Sequence, residues 1–253
     1  MNKVFLLLAV MIALVIASCT NEPEQTVIPA SKATVRFSAL WEGQPFEMQQ
    51  VYTDAFGNRL RADGFLNFIS LITLVKDDGS EVLIKDYALV NFYNANEITA
   101  EVPAGKYTTL KFGIGVPRDR NKDQDPAQYP SSSVLSVAGS QGMFWVWNTG
   151  YIFAKFEGKC DTTGTDGAEL LTPIAIHAGD DASYREFVSQ SFSIDLTGIS
   201  KTFDVKLNVD QIFSPVNGND VNIALQAITH TSTNPDLATN FMDNYLAALT
   251  FVP

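Results

Sequence analysis

Imidazoles and thiols are scarce in this chain, with two His and two Cys among 253 residues. Such counts exclude a zinc finger and a disulfide framework. Cationic residues are also few. Lys and Arg total 17 against 28 Asp and Glu, a formal charge of −11. A surface of that sign repels phosphate backbones, which argues against nucleic acid as a partner. The chain has no GxSxG elbow, no internal repeat, no low-complexity tract and no carboxylate pair that stands out for glycoside chemistry. What it does have is apolar material. The hydrophobic fraction is 46% and the charged fraction 18%, which excludes a disordered chain, a collagen-like repeat and a polytopic membrane protein. The length suits one large domain or two small ones.

The first 19 residues, MNKVFLLLAVMIALVIASC, read as an address. Lys3 gives a positive start, Val4 to Ile16 is apolar, and Ile16-Ala17-Ser18-Cys19 fits a lipobox. The apolar run is too short and wrongly flanked to be a membrane span. It resembles a bacterial lipoprotein signal. The expectation is a signal peptide over 1–18, removed to leave Cys19 as an acylated N-terminus that ties the chain to a membrane. The other reading is an ordinary cleaved signal with an incidental cysteine. Residues 19–31 are polar, hold two prolines and read as a flexible tether. Thr20, where an Asp would retain the protein, favours an outer-membrane lipoprotein facing the periplasm or the cell surface. With Cys19 acylated, Cys160 has no intramolecular partner.

Residues 32–253 read as one domain. Phe203, Val205, Leu207 and Val209 alternate with polar residues, the period of a strand with one wet face. Leu110, Phe112, Ile114 and Val116 repeat the pattern, as do Val35, Phe37 and Ala39. FLNFISLITLV is apolar on both faces and reads as a central strand. Asp77-Asp78-Gly79 and Pro103-Ala104-Gly105 mark turns. Strands at this spacing predict an all-β fold, an antiparallel sandwich or barrel. Asn234-Pro235-Asp236 opens a short C-terminal helix, with Leu237, Phe241 and Tyr245 on its inward stripe and Ala238 and Met242 beside them.

Four features could carry chemistry. Asp119, Asn121, Asp123 and Asp125 sit at calcium-loop spacing, but Gln124 and Pro130 break the motif, so a polar loop is expected. Cys160 has no neighbouring His, and His177, followed by Asp180 and Asp181, has no Ser singled out as its partner. The segment 142–158, GMFWVWNTGYIFAKFEG, holds two of the three Trp residues. As a strand it would put Met143, Trp145 and Trp147 on one face and Phe144 and Val146 in the core. Two indoles at i, i+2 either pack or serve a function. His177 should lie opposite Ile174 and Ile176, as a hydrogen-bonded surface residue or as a ligand. His230 precedes the C-terminal helix and carries the same two readings. Two imidazoles and a thioether suit copper and are thin for zinc.

The run from Gly142 to Phe153, closing with Phe156-Glu157-Gly158, resembles the signature of the MbnP-like copper-binding family, named for a protein of the methanobactin gene cluster. Val102-Pro103-Ala104-Gly105-Lys106-Tyr107 leading to Leu110–Val116, Ile176-His177-Ala178-Gly179, Val209–Phe213 and Asp243-Asn244 agree in order. The resemblance implies a lipid-anchored envelope protein that is not an enzyme and acquires, stores or delivers copper. It implies that His177 and His230 are ligands, with Met143 auxiliary and a carboxylate such as Asp180 or water completing the set. It further implies that Trp145 or Trp147 is oxidised to kynurenine by a partner dihaem cytochrome c peroxidase. The family's copper sites lean on several histidines, and this chain offers two. The competing reading is a structural or adhesive surface lipoprotein that binds a protein or glycan partner, with the Trp pair as a stacking platform or as core.

Overall fold

The computed structural model describes residues 30–91, 96–122, 124–147, 150–165, 167–215 and 218–253. The signal segment, Cys19 and the tether up to residue 29 lie outside the described residues, as does Asp123. In chain order the strands are β1 (Ser31–Trp41), β2 (Gln44–Pro45), β3 (Val51–Thr53), β4 (Arg59–Lys76), β5 (Glu81–Asn91), β6 (Asn96–Val102) and β7 (Lys106–Ile114). A one-turn helix α1 (Arg118–Asn121) follows, then β8 (Phe144–Trp145), β9 (Gly150–Asp161), β10 (Thr172–Gly179), β11 (Arg185–Val188), β12 (Ile194–Asp195) and β13 (Ser200–Asn208). The chain ends with α2 (Val209–Ile212), β14 (Ile228–Thr229), α3 (Pro235–Ala247) and β15 (Leu249–Val252).

Two sheets result, and the all-β expectation stands. The smaller runs β15-β13-β1-β2, with β6 also on β1. The larger runs β11-β7-β4-β9-β10-β14, with β3 and β5 on β4 and β12 on β7. Most pairings are antiparallel, but β1 with β13 and β10 with β14 are parallel. The alternating residues face inward as their period requires: Val35, Phe37, Phe203, Val205 and Leu207 are buried. Phe37 of β1 meets Phe112 of β7 edge-on at 5.5 Å, joining the sheets. Tyr107 ties down the Pro103 turn by donating its hydroxyl to the Pro103 carbonyl at 2.7 Å, much as a tyrosine corner does.

β4 is the central strand, apolar on both faces as the sequence predicts. Leu66 pairs with both Asn91 and Lys155, and Ile69 with both Ala88 and Ile114. So β5 holds one edge of β4, while β9 and then β7 share the other. One face of this sheet carries Phe65 and Phe156, 5.2 Å apart, against Phe241 and Tyr245 of α3. Asn234 caps α3 by accepting from Leu237 N, and Pro235 fills the first turn. The opposite face is covered by the long connection between β7 and β9. There Tyr151 packs on Phe68 and Phe144 and donates its hydroxyl to Leu135 O at 2.5 Å. Asn121 is buried under the same connection, accepting from Tyr151 N and donating to Asp181. It is a packing residue, not a solvated loop residue.

Two expectations need correction. The alternation through Asp210 predicts strand, but β13 stops at Asn208. There the backbone N–H and the side-chain amide both turn to Ala248 O, and Val209–Ile212 becomes helical. The 142–158 segment is not one strand. Among the described residues of this segment before β9, only Phe144 and Trp145 pair, with Tyr151 and Gly150, and the chain turns at Val146 and Trp147. Val146, expected in the core, is 84% exposed as a result.

Candidate functional site

The parallel pairing of β14 with β10 builds the site. Ala175 pairs with Ile228 and Ile176 with Thr229, so the next register position sets His177 beside His230. Ile176 and Thr229 are fully buried, which leaves the imidazoles on the other face. Their ring centres lie 4.8 Å apart at 86°, edge to face. The only two histidines in the chain thus meet, although 52 positions separate them in sequence (230 − 177 = 53, less one).

Next to them on the same face, β9 presents Lys155 and Glu157, alternating with buried Ala154 and Phe156. Glu157 Oε1 lies 3.0 Å from His177 Nε2, and its other oxygen lies 3.4 Å from Lys155 Nζ. The His177 side chain is only 13% exposed. Burial pulls its pKa below the usual imidazole value, the hydrogen bond to Glu157 opposes that pull, and His230 and Lys155 add to it. The neutral ring is therefore favoured. A carboxylate only accepts, so Nε2 carries the proton in this bond and Nδ1 keeps a free lone pair. The sequence places Glu157 in the Phe-Glu-Gly motif, but its hydrogen bond to His177 follows from the β9–β10 register.

The tryptophans separate. Trp145 is 5% exposed and Trp147 61%, with ring centres 5.5 Å apart and planes at 44°. Trp145 lies over Gly179, two residues beyond His177. A methyl group on Gly179 would stand 2.7 Å from Trp145 Cζ3 and 2.5 Å from Tyr151 O, so only glycine fits there. Met143 is fully buried in the hydrophobic core. Asp180 uses Oδ1 to cap Ser183 N at 3.0 Å.

Backbone strain gathers here. Asp180 has φ +83° and Thr231 φ +58°. Positive φ is uncommon in a non-glycine residue and an outlier in a β-branched one. Strain of this kind clusters where surrounding structure imposes a function-bearing geometry. Cys160 is fully buried, and burial pushes its thiol up to about 11, so it is protonated and inert at neutral pH. A groove of 330 Å³ beside β7 and β11 is lined by Leu71, Leu83, Phe187 and the Lys111–Glu81 ion pair, among others, and contains no His, Cys or Trp.

The separation of the imidazole centres is in the range that a shared metal ion requires. With metal–nitrogen bonds of about 2.0–2.1 Å and each nitrogen about 1.1 Å from its ring centre, bond angles of about 90–110° put the centres about 4.4–5.2 Å apart. The observed 4.8 Å falls within that window. A linear two-coordinate ion would need roughly 6.3 Å on the same bond lengths. A bent pair needs further donors. Among the described residues no group of three or more His, Cys, Asp or Glu side chains is placed to hold a metal, so no described carboxylate or thiol completes the set.

Comparison with known proteins agrees with the sequence resemblance. The sequence model of the MbnP family matches residues 30–233. Among solved structures, MbnP from Methylosinus trichosporium superposes with a TM-score of 0.55 at 15% identity, over 83% of this chain and 88% of that one. At that identity the likeness speaks for the fold. No curated protein matches the chain.

Proposed function

Because the chain belongs to the MbnP family and shares its β-rich fold, we propose that it is a copper-binding lipoprotein of the cell envelope, anchored through Cys19, whose cargo ion is held by His177 and His230. The family carries the association with methanobactin and copper. The observation that supports a site in this chain is the convergence of its only two imidazoles, 4.8 Å apart, beside a buried tryptophan. Imidazole suits copper, and copper stands at the top of the divalent affinity series. Glu157 acts from behind: it holds His177 in the tautomer that offers Nδ1. The protein is not an enzyme in this reading. Its role is to take up, hold or deliver the ion.

The bent pair leaves coordination positions for water or for a donor from Trp145. Oxidation of that indole by a partner dihaem peroxidase would create one. Opening of the five-membered ring, with peroxide as oxidant and formate as the carbon lost, leaves an aryl amine and a ketone. Trp145 is favoured over Trp147 because its ring lies against Gly179 on the strand that carries His177. Met143 remains in the core and is the least accessible donor. A surface lipoprotein that binds a protein or glycan partner is the second reading, favoured by exposed Val146 and Trp147.

Equilibrium dialysis of the mature domain with Cu(I) and Cu(II) tests the first reading. Binding should disappear in His177→Ala and in His230→Ala. In Glu157→Gln it should weaken about 10–100-fold, the usual effect of losing a partner that orients a ligand. Undiminished binding in both histidine variants would overturn the site. Peptide mapping of protein from copper-replete native cells should find kynurenine at position 145; intact Trp145 there would remove the modification and leave the imidazole site in place.

A further inference from the structure

His177 and His230 stand on unequal footings. His177 belongs to a strand paired along its length with β9. His230 follows a two-residue strand and opens the loop that leads to α3. Something must hold that loop against β10, and Thr231 makes the connection. Its hydroxyl donates to His177 O at 3.1 Å and accepts from Gly179 N at 2.8 Å. These two groups lie on either side of Ala178, where the β9–β10 register slips. One hydroxyl thus bridges the irregularity and satisfies a buried N–H that the ladder has dropped.

The loop around Thr231 is closed on itself. His230 N donates to Thr233 Oγ1 at 3.0 Å, Ser232 N to His230 O at 2.7 Å, and Asn234 N to Thr231 O at 3.2 Å. Thr229 Oγ1 donates to Asn234 O at 2.8 Å. The loop is therefore tied together, and its docking point is Thr231, which is 5% exposed. Thr231 also carries the φ of +58°. A left-handed backbone is unfavourable for an L residue. A β-branched side chain there persists only if its contacts impose it.

We infer that Thr231 is the positioning residue of the imidazole pair. Its hydroxyl bridge to β10 seats His230 across from His177, and its strained backbone is the consequence of making that bridge. The inference rests on the copper reading for its biological purpose. The seating itself is a property of the metal-free protein, so it can be tested separately.

Three substitutions separate the bridge from the strain. Thr231→Val keeps the β-branched shape and the unfavourable φ but removes the hydroxyl. Thr231→Ser keeps the hydroxyl. Thr231→Gly relieves the strain without a hydroxyl, so it remains informative if the valine variant folds poorly. In the metal-free protein, NMR should show ring-proton contacts between His177 and His230 in the wild type and in Thr231→Ser. They should be lost in Thr231→Val and Thr231→Gly. Copper affinity should follow the same order, falling about tenfold or more without the hydroxyl, on the scale of other partners that orient ligands. Ring contacts and copper affinity that persist in Thr231→Val and Thr231→Gly, with only the melting temperature lowered, would overturn the inference and leave Thr231 as an ordinary loop staple. A wild type that binds no copper but loses its ring contacts in these variants supports the seating while defeating the copper reading.

Discussion

The chain has three tryptophans, and two regions use them in opposite ways. Trp41 stacks on Tyr52 at 4.5 Å and lies 6.2 Å from Phe46, with Phe46 and Tyr52 5.2 Å apart and all three planes within 26° of one another. Each ring of that trio is less than a tenth exposed. The Tyr52 hydroxyl is satisfied by the backbone of Glu47. Trp145 is no less buried than Trp41, at 5% each, but its aromatic neighbour Trp147 stands in solvent and the Trp145 edge lies on Gly179, two residues beyond His177. Burial of the ring does not distinguish the two regions. The difference lies in what surrounds it: satisfied, parallel aromatic neighbours in one case, and scarce metal donors and an exposed indole in the other.

The largest expected effect falls on the first region. Trp41→Ala should cost about 3–5 kcal/mol of stability, the usual range for emptying a buried Trp position. Copper affinity of the fraction that stays folded should not change. Trp147→Ala should cost less than about 1 kcal/mol, because it removes little more than an edge contact from an exposed ring. Urea denaturation of both variants, with copper titration of the folded protein, checks the contrast. Comparable stability losses would erase the distinction between a structural and a functional pair.

A smaller effect tests the join between Trp145 and the histidine strand. Gly179→Ala would place a methyl group 2.5 Å from Tyr151 O and 2.7 Å from Trp145 Cζ3. Overpacking of this kind costs about 1–3 kcal/mol. Tyr151 O is backbone and the indole is a side chain, so both the strand and the Trp145 ring must give way. The expected signature is a shift of Trp145 fluorescence toward that of a solvated indole, larger than any produced by Ala175→Gly earlier on the same strand. An unshifted spectrum would mean that Trp145 does not depend on the Gly179 surface.

Much of the fold was legible because alternation is local. Val35, Phe37, Phe203, Val205 and Leu207 show their buried face with no knowledge of their partners. The helix start at Asn234-Pro235 was legible for the same reason, since caps act within one turn. Pairing across the chain was not. The parallel union of β1 with β13 joins Lys32 to Ser200, and no local pattern announces it. β14 is two residues long, too short to show a period, yet its pairing with β10 carries the chain to His230 beside His177. Glu157 and Thr231 were invisible as site residues because their roles exist only after β9, β10 and β14 are laid side by side. Val146 went the other way. Alternation was carried past Trp145, where the strand has already ended.

The smallest expected effect concerns pH, and it separates the two regions by charge. Among the Trp41 rings the only titratable group is the Tyr52 phenol, raised above its ordinary value by burial, so none of the three rings gains or loses charge between pH 7 and 5. The other region includes His177, whose pKa is depressed chiefly by burial. With the folded value below the unfolded one, the unfolded chain binds more protons in the interval between them. Stability therefore rises with pH across that interval. The contribution of the neutral ring is fully present above the unfolded imidazole value and is lost as pH falls through the folded one. Melting temperatures of metal-free wild type and His177→Asn, recorded from neutral to mildly acidic pH, should converge on acidification, because the variant lacks the group that must be charged. Other carboxylates titrate in both proteins and cancel in the difference. Divergence on acidification would mean that Glu157 outweighs burial, so that His177 is held as the cation and its nitrogens are occupied by protons at the pH where copper would have to bind.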